Sequence, residues 1–330
     1  MNHRTRLRVL LAGSALLAAA PLMAQAPGNV TIGGLMDVSI GETKAPGGTR
    51  SRGVDSGKMT TSHIALRGSE DLGGGLSAVF AIESFMRADT GAAGRFNGDT
   101  FWARNSWVGL GHKDYGRLTL GRNTTPLFVS TLLFNAFGDS FGYSPSIRHY
   151  FTSGTVAGDT GWNDSAQYTS PSYGGATVSL IGAASEGSNG RNWGGHLLYF
   201  GGPLAATFAF EDVKKDSGGP TPDTRTWQLG GSYAFGTVKG FGQVGNVKNK
   251  TSGVDFDILG LGASVDVGLG KALAQWGRLK PGTGAKRNTF SVGYDYFMSK
   301  RTDLYAVLMS DKVDGLSSGS GWSLGIRHRY

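Results

Sequence analysis

The last nine residues of the chain, 322–330, have the sequence Trp322-Ser323-Leu324-Gly325-Ile326-Arg327-His328-Arg329-Tyr330. One alternating set of side chains is mostly apolar: Trp322, Leu324, Ile326, His328 and Tyr330. The other set is small or charged: Ser323, Gly325, Arg327 and Arg329. A period of two residues is the spacing of a β-strand, whose successive side chains point to opposite faces. The stretch therefore predicts a strand with one apolar and one polar face.

The same alternation recurs along the chain after residue 26, for example over 227–235 and 290–296. Tight connections such as 71–75 alternate with longer polar ones such as 213–223. Short turns at one end and long loops at the other are typical of a transmembrane β-barrel. We count sixteen strands and predict an all-β fold, a transmembrane 16-stranded antiparallel β-barrel with its polar face inside.

The composition agrees with a barrel. Glycine makes up 55 of 330 residues, which suits tight turns and sharply curved strands. The 17 Phe, 11 Tyr and 7 Trp cluster toward predicted strand ends, as in the aromatic girdles of membrane barrels. The alternative is a secreted β-sandwich, which would have to divide sixteen strands between two cores, and the sequence marks no such boundary. With no cysteine, the chain has no disulfide and no thiolate chemistry.

The first 26 residues have the organisation of a signal peptide. Three arginines precede an apolar run over 9–20, and Ala24-Gln25-Ala26 matches a cleavage site. Pro27 leaves the exact cleavage position open. We therefore divide the chain into a signal peptide, 1–26, and a barrel, 27–330. The formal charge of +8 falls to +5 without the three leader arginines, and the remaining basic residues are scattered, so we expect no nucleic-acid partner.

Several segments resemble the Gram-negative general-diffusion porins, which are trimeric and sixteen-stranded, and especially those of the β-proteobacterial type. They are Leu66 to Leu76 (LRGSEDLGGGL), Trp107 to Leu110, Tyr115 to Arg122 (YGRLTLGR), Tyr168 to Pro171 and Gly325 to Tyr330. The resemblance covers nearly the whole chain after residue 26. The chain departs from the family pattern in ending on Tyr330 where the family usually has Phe, and in its third loop.

The resemblance implies an outer-membrane channel for passive diffusion of small hydrophilic solutes and ions. It also implies a homotrimer in contact with outer-membrane lipid and lipopolysaccharide, assembled by the barrel-assembly machinery through the C-terminal strand ending at Tyr330. Small residues such as Gly33, Gly34, Gly260 and Gly262 are candidates for close subunit contact. We expect no cofactor and no metal.

The connection between Arg122 and Ser165 has no clear strand pattern, and a loop of that length in a compact domain usually has a function. In the family, this third loop folds into the barrel and constricts the pore. Asp139 and Arg148 are its candidate pore residues. The alternative is an external flap with no role in the pore.

Strand parity supplies candidates on the facing wall. Ile64 and Leu66 on the lipid side place His63 and Arg67 inside, and Ile82 on the lipid side places Glu83 inside. The resemblance adds Arg104 and Arg122 as pore-facing arginines. We predict a basic ladder of Arg67, Arg104 and Arg122 and a weak preference for anions. In the alternative interpretation, these arginines only neutralise carboxylates such as Glu70 and Glu83.

Two other classes of function fit the sequence less well. Three matches to G-x-S-x-G, at 138–142, 315–319 and 321–325, would suggest a hydrolase, but no helix is predicted after any of them, as a nucleophile elbow requires. A structural barrel or adhesin is the second. Within the channel class, a substrate-specific channel with a dedicated binding site stays open, because the third loop does not match the family. We therefore expect no enzymatic activity, and solute preference is left undecided.

Overall fold

The computed structural model describes residues 28–184, 191–214 and 223–330, so the predicted signal peptide lies outside the described residues. Two short helices, α1 (Pro126–Leu133) and α2 (Pro145–Phe151), lie in one connection, and all other regular structure in these ranges is β. The strands are β1 Asn29–Lys44, β2 Arg50–Ser56, β3 His63–Gly73, β4 Leu76–Arg87, β5 Ala92–Ala93, β6 Asn105–His112, β7 Gly116–Thr124, β8 Gly161–Thr169, β9 Ala176–Ala183, β10 Asn192–Gly201, β11 Leu204–Val213, β12 Thr224–Phe235, β13 Val238–Asn249, β14 Asp255–Val267, β15 Gly270–Pro281, β16 Arg287–Phe297, β17 Thr302–Val313 and β18 Gly319–Arg329.

These strands close into one antiparallel barrel. The first and last strands pair, with Ser39 opposite Gly325, and every other neighbour in the ring follows in chain order. Two of the eighteen strand segments do not count as separate strands of the barrel. One half of β1 pairs with β2 and the other half with β3, so β2 and β3 share one position, and β5 only extends the end of β4. The described residues thus form sixteen barrel strands, and the predicted fold class is confirmed.

Short turns and long loops lie at opposite ends of the barrel. The turn between β14 and β15 is two residues, and Gly268 there has a positive φ of 58°, which glycine adopts without a steric penalty. The connection between β7 and β8 covers residues 125–160 and is called the third loop below. The last residue pairs with the first strand at the short-turn end, where Gly34 N–H donates to the Tyr330 carbonyl over 3.2 Å.

The surface of the barrel is the inverse of a water-soluble protein. On its outer face, Leu261, Leu308 and Leu324 are all more than half exposed, whereas the inward Gln228 and Ser291 are fully buried. Such a large exposed apolar surface is favourable only next to lipid. No helix in the described ranges is long and apolar enough to span a membrane.

Candidate functional site

The third loop carries its own helix-start signals. Thr125 caps α1 by accepting a hydrogen bond from Phe128 N–H over 3.3 Å, and Ser144 caps α2 by accepting one from Ile147 N–H over 3.2 Å. A proline follows each cap, at the first helical position, where its missing N–H costs nothing. The two Ser/Thr-Pro pairs therefore divide the loop into two short helical turns.

The third loop is bonded to the inward face of the barrel. Gln243 Nε2 donates to the Thr131 carbonyl over 2.8 Å, and Ser291 Oγ donates to the Tyr143 carbonyl over 2.7 Å. Farther along, Gln275 Nε2 donates to Ser146 over 2.8 Å. The loop therefore lies inside the barrel, and the alternative of an external flap is wrong. We call the inward face of β10–β16, on which the loop lies, the covered wall.

Glycines on the covered wall make room for the loop. An added Cβ at Gly277 would lie 2.7 Å from Pro145 Cβ, and one at Gly260 would lie 2.9 Å from Ser146 Oγ. Consecutive strands β12–β16 each supply at least one such inward glycine: Gly230, Gly245, Gly260 with Gly262, Gly277 and Gly293. The expectation that Gly260 and Gly262 serve subunit contact is wrong, because both face the loop instead.

Apolar side chains complete the attachment. Leu127, Tyr150 and Val156 of the third loop pack against four wall residues, Ala209, Val247, Ile258 and Leu279. Burial lowers the pKa of His149 to about 3, so its ring is neutral at physiological pH and shares a hydrogen bond of 2.9 Å with the Thr289 hydroxyl. The covered wall and the loop thus form a packed interface of buried apolar and polar side chains.

The opposite inner wall carries two of the predicted arginines on one carboxylate. Arg67 Nε donates to Glu83 Oε1 over 2.7 Å, and Arg104 Nη1 donates to Glu83 Oε2. Asn105 Nδ2 adds a third donor at 2.8 Å. The Glu83 side chain is 2% exposed, against 54% for Arg67 and 29% for Arg104. One buried carboxylate therefore holds two guanidinium groups that still reach the lumen.

Arg117, on β7, is a third cation on this wall that the sequence analysis missed. It lies over the ring of Trp107 at 5.3 Å and lines the same cavity as Arg67 and Arg104. The parity rule used for Glu83 would have found it, since Leu118 and Leu120 face outward and so place Arg117 inward. We call the inward face carrying Arg67, Arg104 and Arg117 the arginine wall.

Two cavities follow one another between the arginine wall and the third loop. The larger, of about 460 Å³, lies toward the short turns and includes all three wall arginines. The smaller, of about 270 Å³, lies toward the long loops and includes Arg95, Arg104 and Asp139. The two cavities share four of their lining residues, Arg104, Asn105, Thr124 and Val129. These four residues therefore lie at the boundary between the two cavities.

Arg122 does not join the predicted ladder. It donates to Asp159 Oδ2 over 2.5 Å and to Asn163 over 2.8 Å, and it lines a separate cavity of about 280 Å³. The register of β7 on β8 shifts between Gly121 and Asn123, so the simple alternation fails at Arg122. The ladder therefore has Arg117, not Arg122, as its third member on the wall.

Arg95 joins the second long loop to the third. It donates to Asp99 over 2.8 Å and to both oxygens of Asp159, at 2.7 and 2.9 Å. Burial alone would raise the pKa of Asp159, but the hydrogen bonds and charge of Arg95, with the charge of Arg122, lower it to about 2. This ion-pair cluster is internally neutral and stays ionised at physiological pH.

The remaining candidates lie in three different places. Asp139 accepts a hydrogen bond from Thr60 over 3.1 Å and lines the smaller cavity, and burial raises the pKa of its carboxyl. His63 Nδ1 is 3.0 Å from the Thr61 carbonyl, next to the arginine wall. Arg148 donates to Asp311 of β17 over 2.8 Å, beside the covered wall and away from Arg67 and Arg104.

The serines of the hydrolase motifs have structural partners. Ser140 Oγ donates to the Lys58 carbonyl over 2.7 Å, and Ser323 Oγ shares a short hydrogen bond with Tyr143 Oη. Ser323 lies within β18, so it has no strand-turn-helix setting. Within 28–184, 191–214 and 223–330, no three His, Asp or Glu side chains are grouped as a metal site.

Known proteins share this architecture over nearly the full chain. The sequence profile described as Gram-negative porin matches residues 12–316. Outer membrane porin protein 32 of Delftia acidovorans is 31% identical over 97% of this chain and 99% of its own. An outer membrane porin protein of Bordetella pertussis is 30% identical over the same shares of the two chains.

Solved structures give the same result. A structure titled anion-selective porin from Comamonas acidovorans superposes with a TM-score of 0.79 at 28% identity, covering 92% of this chain and all of that one. OmpT of Vibrio cholerae, with loop L8 deleted, gives a TM-score of 0.71 at 15% identity, which shows the fold alone. The closed barrel, its lipid-facing leucines and these full-length matches lead to one assignment: the chain belongs to the Gram-negative porin family and forms an outer-membrane channel for passive diffusion of small hydrophilic solutes and ions.

Proposed function

We propose that this porin prefers anions and that the arginine wall sets the preference. The observation that carries the proposal is the charge balance of the larger cavity, whose charged lining consists of Arg67, Arg104 and Arg117 against Glu83 alone. Three cations to one carboxylate leave a surplus of two positive charges in the lumen. The smaller cavity adds one uncompensated carboxylate, Asp139, which reduces the surplus without cancelling it.

The geometry supports selectivity by charge in a narrow passage. The third loop occupies the half of the lumen next to the covered wall. The space beside the arginine wall is left for ions, so solutes pass close to the guanidinium groups. Surplus cations in a confined aqueous passage raise the local concentration of anions and repel cations. The third loop thereby constricts the pore at Arg104, Asn105, Thr124 and Val129. The similar structure described as an anion-selective porin adds comparative support.

The test is the zero-current potential of the purified channel in a planar bilayer under a KCl gradient. We expect the anion-selective sign for the native chain. Replacing both Arg67→Gln and Arg104→Gln leaves Arg117 against Glu83 in the larger cavity, so the potential should lose that sign. A cation-selective native channel, or a double variant that keeps the native potential, would overturn the proposal.

The assembly of the channel is proposed on family grounds. We infer that residues 1–26 direct export, that the mature barrel is a homotrimer in contact with lipopolysaccharide, and that Tyr330 ends a strand read by the barrel-assembly machinery. The position of Tyr330 supports the last point, since its N–H donates to the Gly34 carbonyl over 3.2 Å across the closing seam. Deleting Tyr330 should reduce the yield of assembled, heat-modifiable trimer in outer-membrane fractions. A normal yield of trimer would contradict this role.

A further inference from the structure

The smaller cavity has an apolar side as well as a charged side. Phe128 and Leu132 of α1 and Phe141 of the third loop line it opposite Arg104. Phe128 and Phe141 stack with ring centroids 5.8 Å apart and an angle of 29° between their planes. Phe151 contacts Phe128 edge-on, with ring centroids 5.3 Å apart. The cavity therefore presents an aromatic surface toward the solute passage.

Phe151 packs against the apolar cluster of the covered wall and contacts Phe128, whereas Phe128 and Phe141 themselves lie outside that cluster. The buried interface with the covered wall is made by other residues, chiefly Leu127, Tyr150 and Val156. Phe128 and Phe141 are only partly buried and face the cavity. An apolar surface kept in a water-filled passage is a candidate binding surface for a solute with an apolar part.

The charges around this surface fit a single negative charge. Arg95 belongs to the neutral cluster with Arg122, Asp99 and Asp159, whereas Arg67, Arg104 and Arg117 together exceed Glu83 by two positive charges. Asp139 lies in the same cavity as Arg104 and reduces this excess to one. The volume of about 270 Å³ lies just below the range of pockets for drug-sized molecules and suits one ring.

We propose that this cavity is a low-affinity site for aryl monocarboxylates, with the carboxylate on Arg104 and the ring against Phe128 and Phe141. The inference rests on the proposed anion preference and names the solute class that the same passage favours. A channel site must bind well enough to load and weakly enough to release. The site would therefore speed passage of such acids at low concentration and saturate at high concentration.

The experiment uses benzoate and acetate as probes in planar bilayers containing the purified channel. Chloride current is measured while either anion is added in rising concentration. We expect benzoate to reduce the chloride current saturably, at concentrations about threefold or more below those at which acetate acts, given the usual strength of ring–ring contacts. Equal concentration dependence for the two anions in the native channel would overturn the site, and this comparison needs no variant to fold.

Variants locate the effect. Phe128→Leu with Phe141→Leu should remove most of the difference between benzoate and acetate, while Phe101→Leu, an exposed ring of the second long loop, should leave it unchanged. If benzoate and acetate still differ in the double variant, the benzoate ring binds elsewhere, which would contradict the proposal. If the KCl potential is anion-selective but benzoate and acetate act alike, only the aryl site is wrong. If the channel is cation-selective, the proposed function fails and the aryl site fails with it.

Discussion

The two inner walls of this barrel are built by the same strand alternation and have opposite properties. On the covered wall, buried Gln228, Gln243 and Ser291 lie beneath the third loop, and their partners are loop atoms. On the arginine wall, Arg67 and Arg117 stay exposed, and Glu83 is the buried group that holds the charges in place. One wall anchors a loop and the other borders the passage.

The difference shows how a single-chain barrel becomes asymmetric inside. Small inward residues on β12–β16 allow the loop to approach the backbone closely, whereas long cationic side chains on the other wall leave no comparable seat. A charged side chain in a wet lumen costs little, so the arginines stay hydrated and available to solutes. We therefore expect the half of the lumen that the loop does not occupy to conduct.

We expect the largest effect from replacing one of the inward glycines on which the third loop packs. In Gly277→Leu, the new side chain would occupy the space of Pro145 and His149, since even a Cβ would lie 2.7 Å from Pro145 Cβ. We expect a loss of roughly 1–3 kcal/mol of stability from overpacking and a loop pushed toward the arginine wall. The single-channel conductance should fall, and the temperature at which the barrel unfolds should drop.

Gly182→Leu is a control for the same glycine-to-leucine change on the outward face of the barrel. Gly182 is on β9 and an added Cβ there meets nothing within 4 Å, so conductance should stay native. Native conductance in Gly277→Leu as well would mean that the position of the loop does not depend on its close approach to Gly277.

Neutralising Glu83, the carboxylate shared by Arg67 and Arg104, should change the anion preference in the opposite direction from the arginine variants. Glu83→Gln keeps the shape of the side chain and raises the charge of the larger cavity from two to three positive charges. The zero-current potential in a KCl gradient should move further toward the value for a pure anion channel. Asp114→Asn, in an exposed short turn, should leave it unchanged. A shift toward cations in Glu83→Gln would mean that the arginines lose their position without the carboxylate.

Acidification should have a smaller effect with the same sign. Because burial raises the pKa of Asp139, it takes up a proton before exposed carboxylates do as the pH falls from neutral. Protonation removes a negative charge that faces Arg104 and Arg327, so anion preference should increase on acidification before the exposed carboxylates titrate. Asp159 stays ionised there, since its pKa is about 2.

The variant Asp139→Asn isolates this effect. It should show the acid-state potential already at pH 7 and no further change on acidification. A pH dependence that persists in the variant would assign the titration to another group.

Strand alternation predicted the barrel and the inward set of Arg67, Glu83 and His63, because a closed sheet imposes a period of two on every strand. The same rule would have given Arg117. Arg122 was placed in the ladder by the family resemblance and not by alternation, and it lies where the register between Gly121 and Asn123 is irregular. A bulge depends on the neighbouring strand, so the local sequence of β7 does not reveal it.

The contacts that hold the third loop on the covered wall could not be predicted from the sequence for a related reason. Alternation marks the glycines of β12–β16 as inward but does not show that they meet the loop, since Gly109 of β6 is also inward and an added Cβ there would meet Leu118 and Thr119 of the next strand. The role of the β12–β16 glycines follows from contacts with residues more than 80 positions away, for instance Pro145 against Gly277. The sharing of Glu83 by two arginines likewise joins β3, β4 and the start of β6, which no single stretch contains.

Accessibility of single cysteines tests the central claim, that solutes pass along the arginine wall and not the covered wall. The native chain has no cysteine, so each introduced thiol is unique. Gln167→Cys lines the larger cavity, and Ser291→Cys lies beneath the third loop. With a negatively charged methanethiosulfonate reagent in the bath, current through the Gln167→Cys channel should fall while Ser291→Cys stays unmodified. Equal or faster modification at Ser291, or an unaffected current at Gln167, would contradict the account.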